Sequence, residues 1–331
     1  MHPGLGFSPD NRSGRQSRPR AAPCGRASTG ATGRAMSAGA LIRAMRPHHW
    51  LKNGLVFVPI VLNHDVFDLQ ALFAGAVAFV AFSLLASAIY LLNDIRDVEA
   101  DRRHPTKCKR PLAAGEITVK QAYMAVPALL LAAFGLAALL PKPAHFVLAL
   151  TSYLFLALAY LLFLKRKLLV DVLGLAALHT LRILAGNAAA GIPLSSWLLA
   201  FSIFLFLSLA LVKRYAELRI TQDQSGLKKA GRGYHAEDIE ALSQLGMASG
   251  CTCALILALY VDSDAVRQLY RHPELIWLTC PIILYQMARI WFLARRGQVP
   301  DDPLVFMIRD WRSQLMGLVV AAIMAAATLL P

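Results

Sequence analysis

Charge is what this sequence has least of. Only 16% of its 331 residues are Asp, Glu, Lys or Arg, against about 25% in an ordinary soluble domain. Acid is scarcer still, with 20 Asp and Glu beside 34 Lys and Arg. A, V, I, L, M, F, W, Y and C fill the space at 57%, where soluble domains reach about 45–50% with glycine counted. Too little polar surface remains to cover a water-soluble globule. The same composition excludes disorder for the bulk of the chain. Cysteine is sparse and unpatterned: Cys24, Cys108, Cys251, Cys253 and Cys280 form no C-x-x-C pair, so neither a disulfide framework nor a zinc site is argued. Residues 1–40 lack any apolar run of signal-peptide kind. They are rich in Arg, Gly, Ser, Pro and Ala and read as a disordered basic tail, with Met36 as an alternative start.

What is present is a series of apolar stretches separated by polar breaks. The spans fall at roughly 50–64, 69–93, 119–140, 144–164, 168–190, 195–212, 241–260, 274–294 and 313–330. A crossing helix needs about 20 apolar residues. The first stretch is short and carries Lys52, Asn53 and Pro59, so it fits that requirement least well. No strand-like alternation is visible. The expectation is an all-α polytopic membrane protein of about nine helices around a central cavity opening to the cytoplasm. A net charge of +14 would suggest nucleic acid in a soluble protein, but membrane proteins gather Lys and Arg in their cytoplasmic loops. With the N-terminus inside, 30 Lys and Arg fall on the cytoplasmic side and three, Lys142, Arg267 and Arg271, on the other. That split favours a cytoplasmic (inner) membrane protein with its N-terminus and long polar loops in the cytoplasm, and no nucleic-acid partner.

One of those loops begins as the second span ends, at Tyr90-Leu-Leu-Asn-Asp-Ile-Arg-Asp-Val-Glu-Ala-Asp101. If the helix continues, Asn93, Asp97 and Asp101 recur at four-residue intervals and Asp94 sits beside them. Three carboxylates on one stripe need cations against them. Oxygen ligands with room for water suit Mg2+, which keeps several waters and bridges to phosphates. The plainer alternative is a solvated helix end paired with Arg96, Arg102 or Arg103. Lys107, Lys109 and Arg110 follow in a proline-stiffened loop between Pro105 and Pro111, placed to fold back on the stripe. Carboxylates for a metal followed by cations for spare phosphate oxygens is what a metal–diphosphate substrate needs.

Asn93-Asp-x-x-Asp97-x-x-x-Asp101 followed by His104-Pro-Thr-Lys107-x-x-Arg110-Pro-x-Ala-Ala-Gly115 resembles the first aspartate-rich motif of the UbiA superfamily of intramembrane prenyltransferases. The resemblance covers about residues 41–331, as one UbiA-like transmembrane domain. Three further motifs resemble the decaprenyl-phosphate phosphoribosyltransferase branch: Arg46-Pro-x-x-Trp50-x-Lys52-Asn53, Lys213-Arg-Tyr-Ala-Glu-Leu218, and Asp301-Asp-Pro-x-x-Phe306-x-x-x-Asp310. The resemblance implies Asp94, Asp97 and Asp101 as catalytic metal ligands for Mg2+. Asn93, Lys52, Lys107, Arg110, Arg182, Lys213, Arg214 and Glu217 are then the residues expected to bind substrate.

The second long loop departs from the superfamily pattern. In place of a second aspartate-rich motif it offers Lys213, Arg214, Glu217 and Asp223, then Tyr234-His-Ala-Glu-Asp238. A cation-rich helix end suits a phosphate group better than a second Mg2+. An ion pair of Glu217 with Lys213 is the bland alternative. Arg182 lies alone inside a span, where a charge needs a polar cavity or a partner. Either it meets a phosphate, or it pairs internally with His179 or Asp171.

The implied reaction is Mg-dependent transfer of a 5-phosphoribosyl group from soluble phosphoribosyl diphosphate to a polyprenyl (decaprenyl) phosphate reaching the site from the membrane lipid. The runner-up is prenyl transfer from a polyprenyl diphosphate to an aromatic or other acceptor. A transporter would explain the helices and Arg182 but not an acidic stripe facing a basic loop. The oligomeric state, including a homo-oligomer, stays open.

Overall fold

The computed structural model describes residues 37–223, 233–300 and 302–330. Residues 1–36 of the expected tail, the loop at 224–232 and Asp301 lie outside them. The described helices are α1 (Ala38–Met45), α2 (Val58–Leu62), α3 (Leu69–Arg102), α4 (Val119–Gly135), α5 (Pro143–Leu162), α6 (Val170–Ala190), α7 (Ser196–Asp223), α8 (Ile239–Val261), α9 (Asp264–Leu269), α10 (Thr279–Arg295), α11 (Pro303–Arg309) and α12 (Trp311–Leu329). No strand occurs among the described residues. The expected tail boundary at residue 40 falls inside α1. Among the described residues eight helical stretches are long and apolar enough to cross a bilayer: α3, α4, α5, α6, α7, α8, α10 and α12, with the 3-10 turns that extend α4, α8 and α10. The chain is an integral membrane protein.

The first expected span differs from the rest. Pro47–Phe57 is a 3-10 helix of 11 residues, and α2 adds five more. Pro47, Asn53, Gly54 and Pro59 are poor α-formers. A 3-10 turn holds three residues and so brings Trp50, Asn53 and Val56 to one side. That side lies along a polar stripe of α3. Asn53 Nδ2 donates to Ser83 Oγ at 3.1 Å and Trp50 Nε1 to Ser87 Oγ at 3.1 Å. Further along, His49 stacks near Tyr90 and Arg46 reaches Asp94. On the other flank, a Cβ at Gly186 of α6 would stand 2.1 Å from Val56 O, so glycine there is what lets α6 close on the segment. At about 2.0 Å per 3-10 residue and 1.5 Å per α residue the 16 residues reach about 30 Å, the thickness of a hydrocarbon core. The ninth span expected from the sequence falls on this segment, which holds no long α-helix.

Two apolar cores flank it. Phe82, Phe146, Leu150 and Tyr153 centre one among α3, α4, α5 and α6. Trp291, Tyr215, Phe206 and Leu211 centre the other among α6, α7, α8 and α10. α6 serves both, with Leu178 and Ala185 on one side and Ala176 and Ile183 on the other. The long helices pack in pairs, α3 on α4, α5 on α6, α6 on α7, α7 on α8 and α8 on α10, and α3 carries its charged residues at its C-terminal end. There Arg96 near the end of α3 donates to Leu161 O at the end of α5 at 2.6 Å. Asp94, Asp97, Asp101 and Arg110 sit at this end, whereas Arg182 lies midway along α6.

Candidate active site

α3 continues past the apolar stretch as expected, and its last three turns carry the acidic stripe. The stripe divides, however. Asp94 and Asp101 are each 3% exposed, while Asn93 and Asp97 are half-buried. Helix geometry explains this: seven residues return to within about 20° of the starting direction, and three residues fall about 60° away. Arg110 bridges the aligned pair. Its Nη1 donates to Asp94 Oδ1 at 3.2 Å and to Asp101 Oδ2 at 2.5 Å. Asp94 Oδ1 also accepts from Arg46 Nη2. Asp97 instead lies within electrostatic range of Lys165 between α5 and α6, where burial lowers the ammonium pKa and Asp97 opposes that shift.

Of the basic loop, only Arg110 folds back. Cys108, Leu112 and Ala113 are buried, and in the three-residue turn Lys107–Lys109 an inward Cys108 leaves Lys107 and Lys109 exposed. The bland alternative also takes a different form. Arg96 caps α5 and Arg102 pairs with Glu99 at 2.8 Å; the cations on the stripe are Arg46 and Arg110.

A second polar centre is built around the 3-10 segment. Lys52, from the 3-10 segment, pairs with Asp302. Together with His179 and Lys213 they line a cavity of about 60 Å³. Asp302 caps α11 by accepting from Val305 N at 3.3 Å. Burial alone would raise its carboxyl pKa; the Lys52 ammonium, with help from Lys213 and the Val305 N–H, outweighs burial and holds it below the usual carboxylate range. Tyr90 lies within electrostatic range of Arg46, Arg182 and Asp302 and so stands between the two centres.

Phe206, Leu209 and Leu304 also line a much larger cavity of about 420 Å³, nearly all apolar, bounded by α2, α7, α8, α10 and α12. Along α7 its wall is Leu198, Phe201, Leu205 and Leu209, spaced at three and four residues over about 17 Å of helix. Lys213 follows one turn after Leu209, so the apolar wall ends in an ammonium.

Three expected substrate contacts are held internally. Arg214 is 1% exposed. It pairs with Asp171, donates to Glu217 Oε2 at 2.7 Å and reaches Tyr160 OH at 3.0 Å. Tyr234 OH donates to Asp171 from the other side, and burial followed by this bond raises the phenol pKa. Glu217 thus pairs with Arg214 at i−3. Arg182 donates from Nε to Asn53 Oδ1 at 2.9 Å, from Nη1 to Leu178 O at 2.7 Å and from Nη2 to Tyr153 OH at 2.6 Å. Its partners are not His179 or Asp171: His179 bonds Leu175 O at 2.7 Å and packs on Phe206. Asn53 joins Arg182 to Ser83, a structural task.

Sequence reasoning did not single out Arg46, Asp302 or Asp171 as candidate site residues. The first two stood inside the quoted motifs, and only partner geometry distinguishes them from their neighbours. Among the described residues no three His, Cys, Asp or Glu side chains converge as a metal cluster. A pair does converge: Asp94 and Asp101 share one cationic atom of Arg110. Mg2+ requires one or two carboxylates when water and phosphate oxygens complete its octahedron, so this donor set fits the ion.

Comparison with known proteins agrees with the architecture. The profile of the UbiA prenyltransferase family matches residues 55–233. Uncharacterized protein y4nM of Sinorhizobium fredii is 37% identical over 84% of this chain, and the chain spans about half (54%) of that protein's length. Decaprenyl-phosphate phosphoribosyltransferase of Mycobacterium tuberculosis is 32% identical over 87% of this chain and 93% of its own. A UbiA homolog from Archaeoglobus fulgidus, solved bound to DMAPP and Mg2+, superimposes with a TM-score of 0.64 at 17% identity, over 88% of this chain and 100% of that one, and so shares the fold. On the family profile and the extent of these matches, the chain belongs to the UbiA prenyltransferase family.

Proposed function

We propose that the chain transfers a 5-phosphoribosyl group from phosphoribosyl diphosphate to a polyprenyl phosphate such as decaprenyl phosphate, with Mg2+, at the cytoplasmic face of the inner membrane. One observation carries this reading. Where a second pair of metal carboxylates would stand on α7, the helix presents Lys213 to the small polar cavity and ties Glu217 to Arg214. That leaves one carboxylate pair for a metal–diphosphate donor and a separate Lys52–Lys213 centre for a phosphate. The second centre shares Phe206, Leu209 and Leu304 with the lining of an apolar cavity suited to an isoprenoid chain. The name of the M. tuberculosis relative supports the same pairing of substrates.

In this reading Asp94 and Asp101 hold Mg2+, which when bound would neutralise charge on the departing diphosphate. Arg110 meets the remaining diphosphate oxygens. Lys52 and Lys213 hold the acceptor phosphate, and Asp302 fixes Lys52. One phosphate oxygen of the acceptor forms the new bond to C1 of ribose as the bond from C1 to the diphosphate breaks. That oxygen is already anionic, so no general base is required. Arg182, Arg214 and Glu217 act by positioning α5, α6 and α7.

Prenyl transfer is the second reading, favoured by the large apolar cavity and by the DMAPP-bound neighbour of like fold. Purified protein with Mg2+ would be given labelled phosphoribosyl diphosphate and polyprenyl phosphate, or an isoprenyl diphosphate and an aromatic acid. Label entering lipid from the first pair only is the expected result. Transfer from the second pair only would replace this proposal with prenyl transfer.

A further inference from the structure

Asp94 Oδ1 accepts from two guanidinium groups at once, Arg46 Nη2 and Arg110 Nη1. Two cations on one oxygen repel each other, so neither is held as firmly as in a lone pair. The cluster is nonetheless balanced: Asp94 and Asp101 against Arg46 and Arg110. A free divalent ion would add two positive charges to a neutral set. An ion arriving with a diphosphate brings excess negative charge that the displaced guanidiniums can meet. Arg46 is placed for such an exchange. It links α1 to the 3-10 segment with a left-handed backbone, φ 56° and ψ 63°. Its side chain is 17% exposed, and its guanidinium lies 5.1 Å from the centre of the Tyr90 ring.

We propose that Arg46 is a diphosphate-binding residue. With Arg110 it neutralises Asp94 and Asp101 in the ligand-free chain, and the two pass to the diphosphate oxygens as a divalent ion takes the carboxylates. The consequence is an order: the metal binds well only together with a diphosphate. This rests on the reading of Asp94 and Asp101 as metal carboxylates.

Mn2+ binding to the purified full-length protein in detergent, followed by electron paramagnetic resonance with and without inorganic diphosphate, tests it apart from activity. In the unaltered protein, diphosphate should tighten Mn2+ binding by about 10–100-fold, the worth of one or two charge-assisted hydrogen bonds. Arg46→Gln should tighten binding of Mn2+ alone by about tenfold and shrink the diphosphate effect, because a competitor and a diphosphate contact are lost together. Arg46→Lys keeps the charge and guards against a folding defect: Mn2+ alone should bind as to the unaltered protein. Unchanged Mn2+ affinity in Arg46→Gln, with or without diphosphate, overturns the exchange. Mn2+ binding that survives Asp94→Asn in both conditions overturns instead the metal reading on which it rests.

Discussion

Gly186→Ala tests whether the 3-10 segment sets the geometry of the second polar centre. The added Cβ would stand 2.1 Å from Val56 O and 2.9 Å from Val56 C. Carbon–oxygen contacts settle at about 3.3–3.6 Å, so Val56 must retreat by about 1.2 Å, and backbone cannot step aside as a side chain can. Asn53 lies one 3-10 turn before Val56. Its bonds to Ser83 and Arg182, 3.1 and 2.9 Å, would stretch beyond hydrogen-bond range, and Lys52 is the adjacent residue. Overpacking of this kind costs about 1–3 kcal/mol of stability, and a 1 Å misplacement of positioning groups about 10²-fold in rate. Gly54→Ala is the matched control, on the same segment with nothing within 4 Å of its Cβ. Label transfer into lipid by the two purified variants, beside their melting temperatures, gives the comparison. Gly186→Ala should lose about 10²-fold in kcat/KM for the lipid phosphate and melt lower, and Gly54→Ala should stay within a few-fold of the unaltered protein. Equal activity of the two would refute the claim that the segment positions the centre.

Lys213→Ala should raise KM for the lipid phosphate more than it lowers kcat, the pattern of lost ground-state binding. Glu217→Gln should act on stability instead, because breaking a buried ion pair costs up to about 3–5 kcal/mol; damage to kcat with an unaltered melting temperature would point to a second metal site. Steady-state kinetics with each substrate varied, beside thermal melts, separates the two. A reporter fused after Pro331 should lie outside the cytoplasm, and one in the cytoplasm would mean that the segment 47–62 does not cross. Asp310 is held at about 2 by the Arg289 fork, 2.7 and 3.1 Å, and then by Ser313. Its contribution to stability is therefore present above about pH 4 and lost as pH falls from about 4 to about 2, and Asp310→Asn should flatten the melting temperature over that window.

The long helices were legible because each needs only a run of apolar residues between polar breaks, a local property. The acidic stripe was legible because a repeat of four survives in any helix. What local pattern could not supply was the choice of partner. Asp94, Asp97 and Asp101 look equivalent in sequence, yet only Asp94 and Asp101 meet Arg110, because the loop is pinned inward at Cys108 and Leu112. Arg46 lies 48 residues from Asp94, and Lys52 lies 250 from Asp302. Neither separation leaves a periodic trace. The 3-10 segment was read as a short α-span because its apolar residues satisfy either period, and its geometry is decided by Gly186 and Ser83, on other helices.

The run Lys213-Arg-Tyr-Ala-Glu217 shows how one helix can carry a chemical change and its structural compensation. Adjacent residues on a helix point about 100° apart, so Lys213 and Arg214 serve different surroundings. Lys213 faces the small cavity at the end of the apolar wall. Arg214 turns inward to Asp171 and Glu217. A carboxylate at 217 with no cation at 214 would be a buried charge free to recruit a metal; with Arg214 in place it is ion-paired inside the bundle, on a guanidinium it shares with Asp171. The first polar centre follows the opposite arrangement, since Arg46 and Arg110 approach Asp94 from outside α3 and are partly exposed. Guanidiniums that reach carboxylates from the solvent side can be displaced by an arriving ion. One locked inside by Tyr160, Asp171 and Glu217 cannot. On this proposal, the difference between an exchangeable and a fixed cation leaves one metal centre where the fold has room for two.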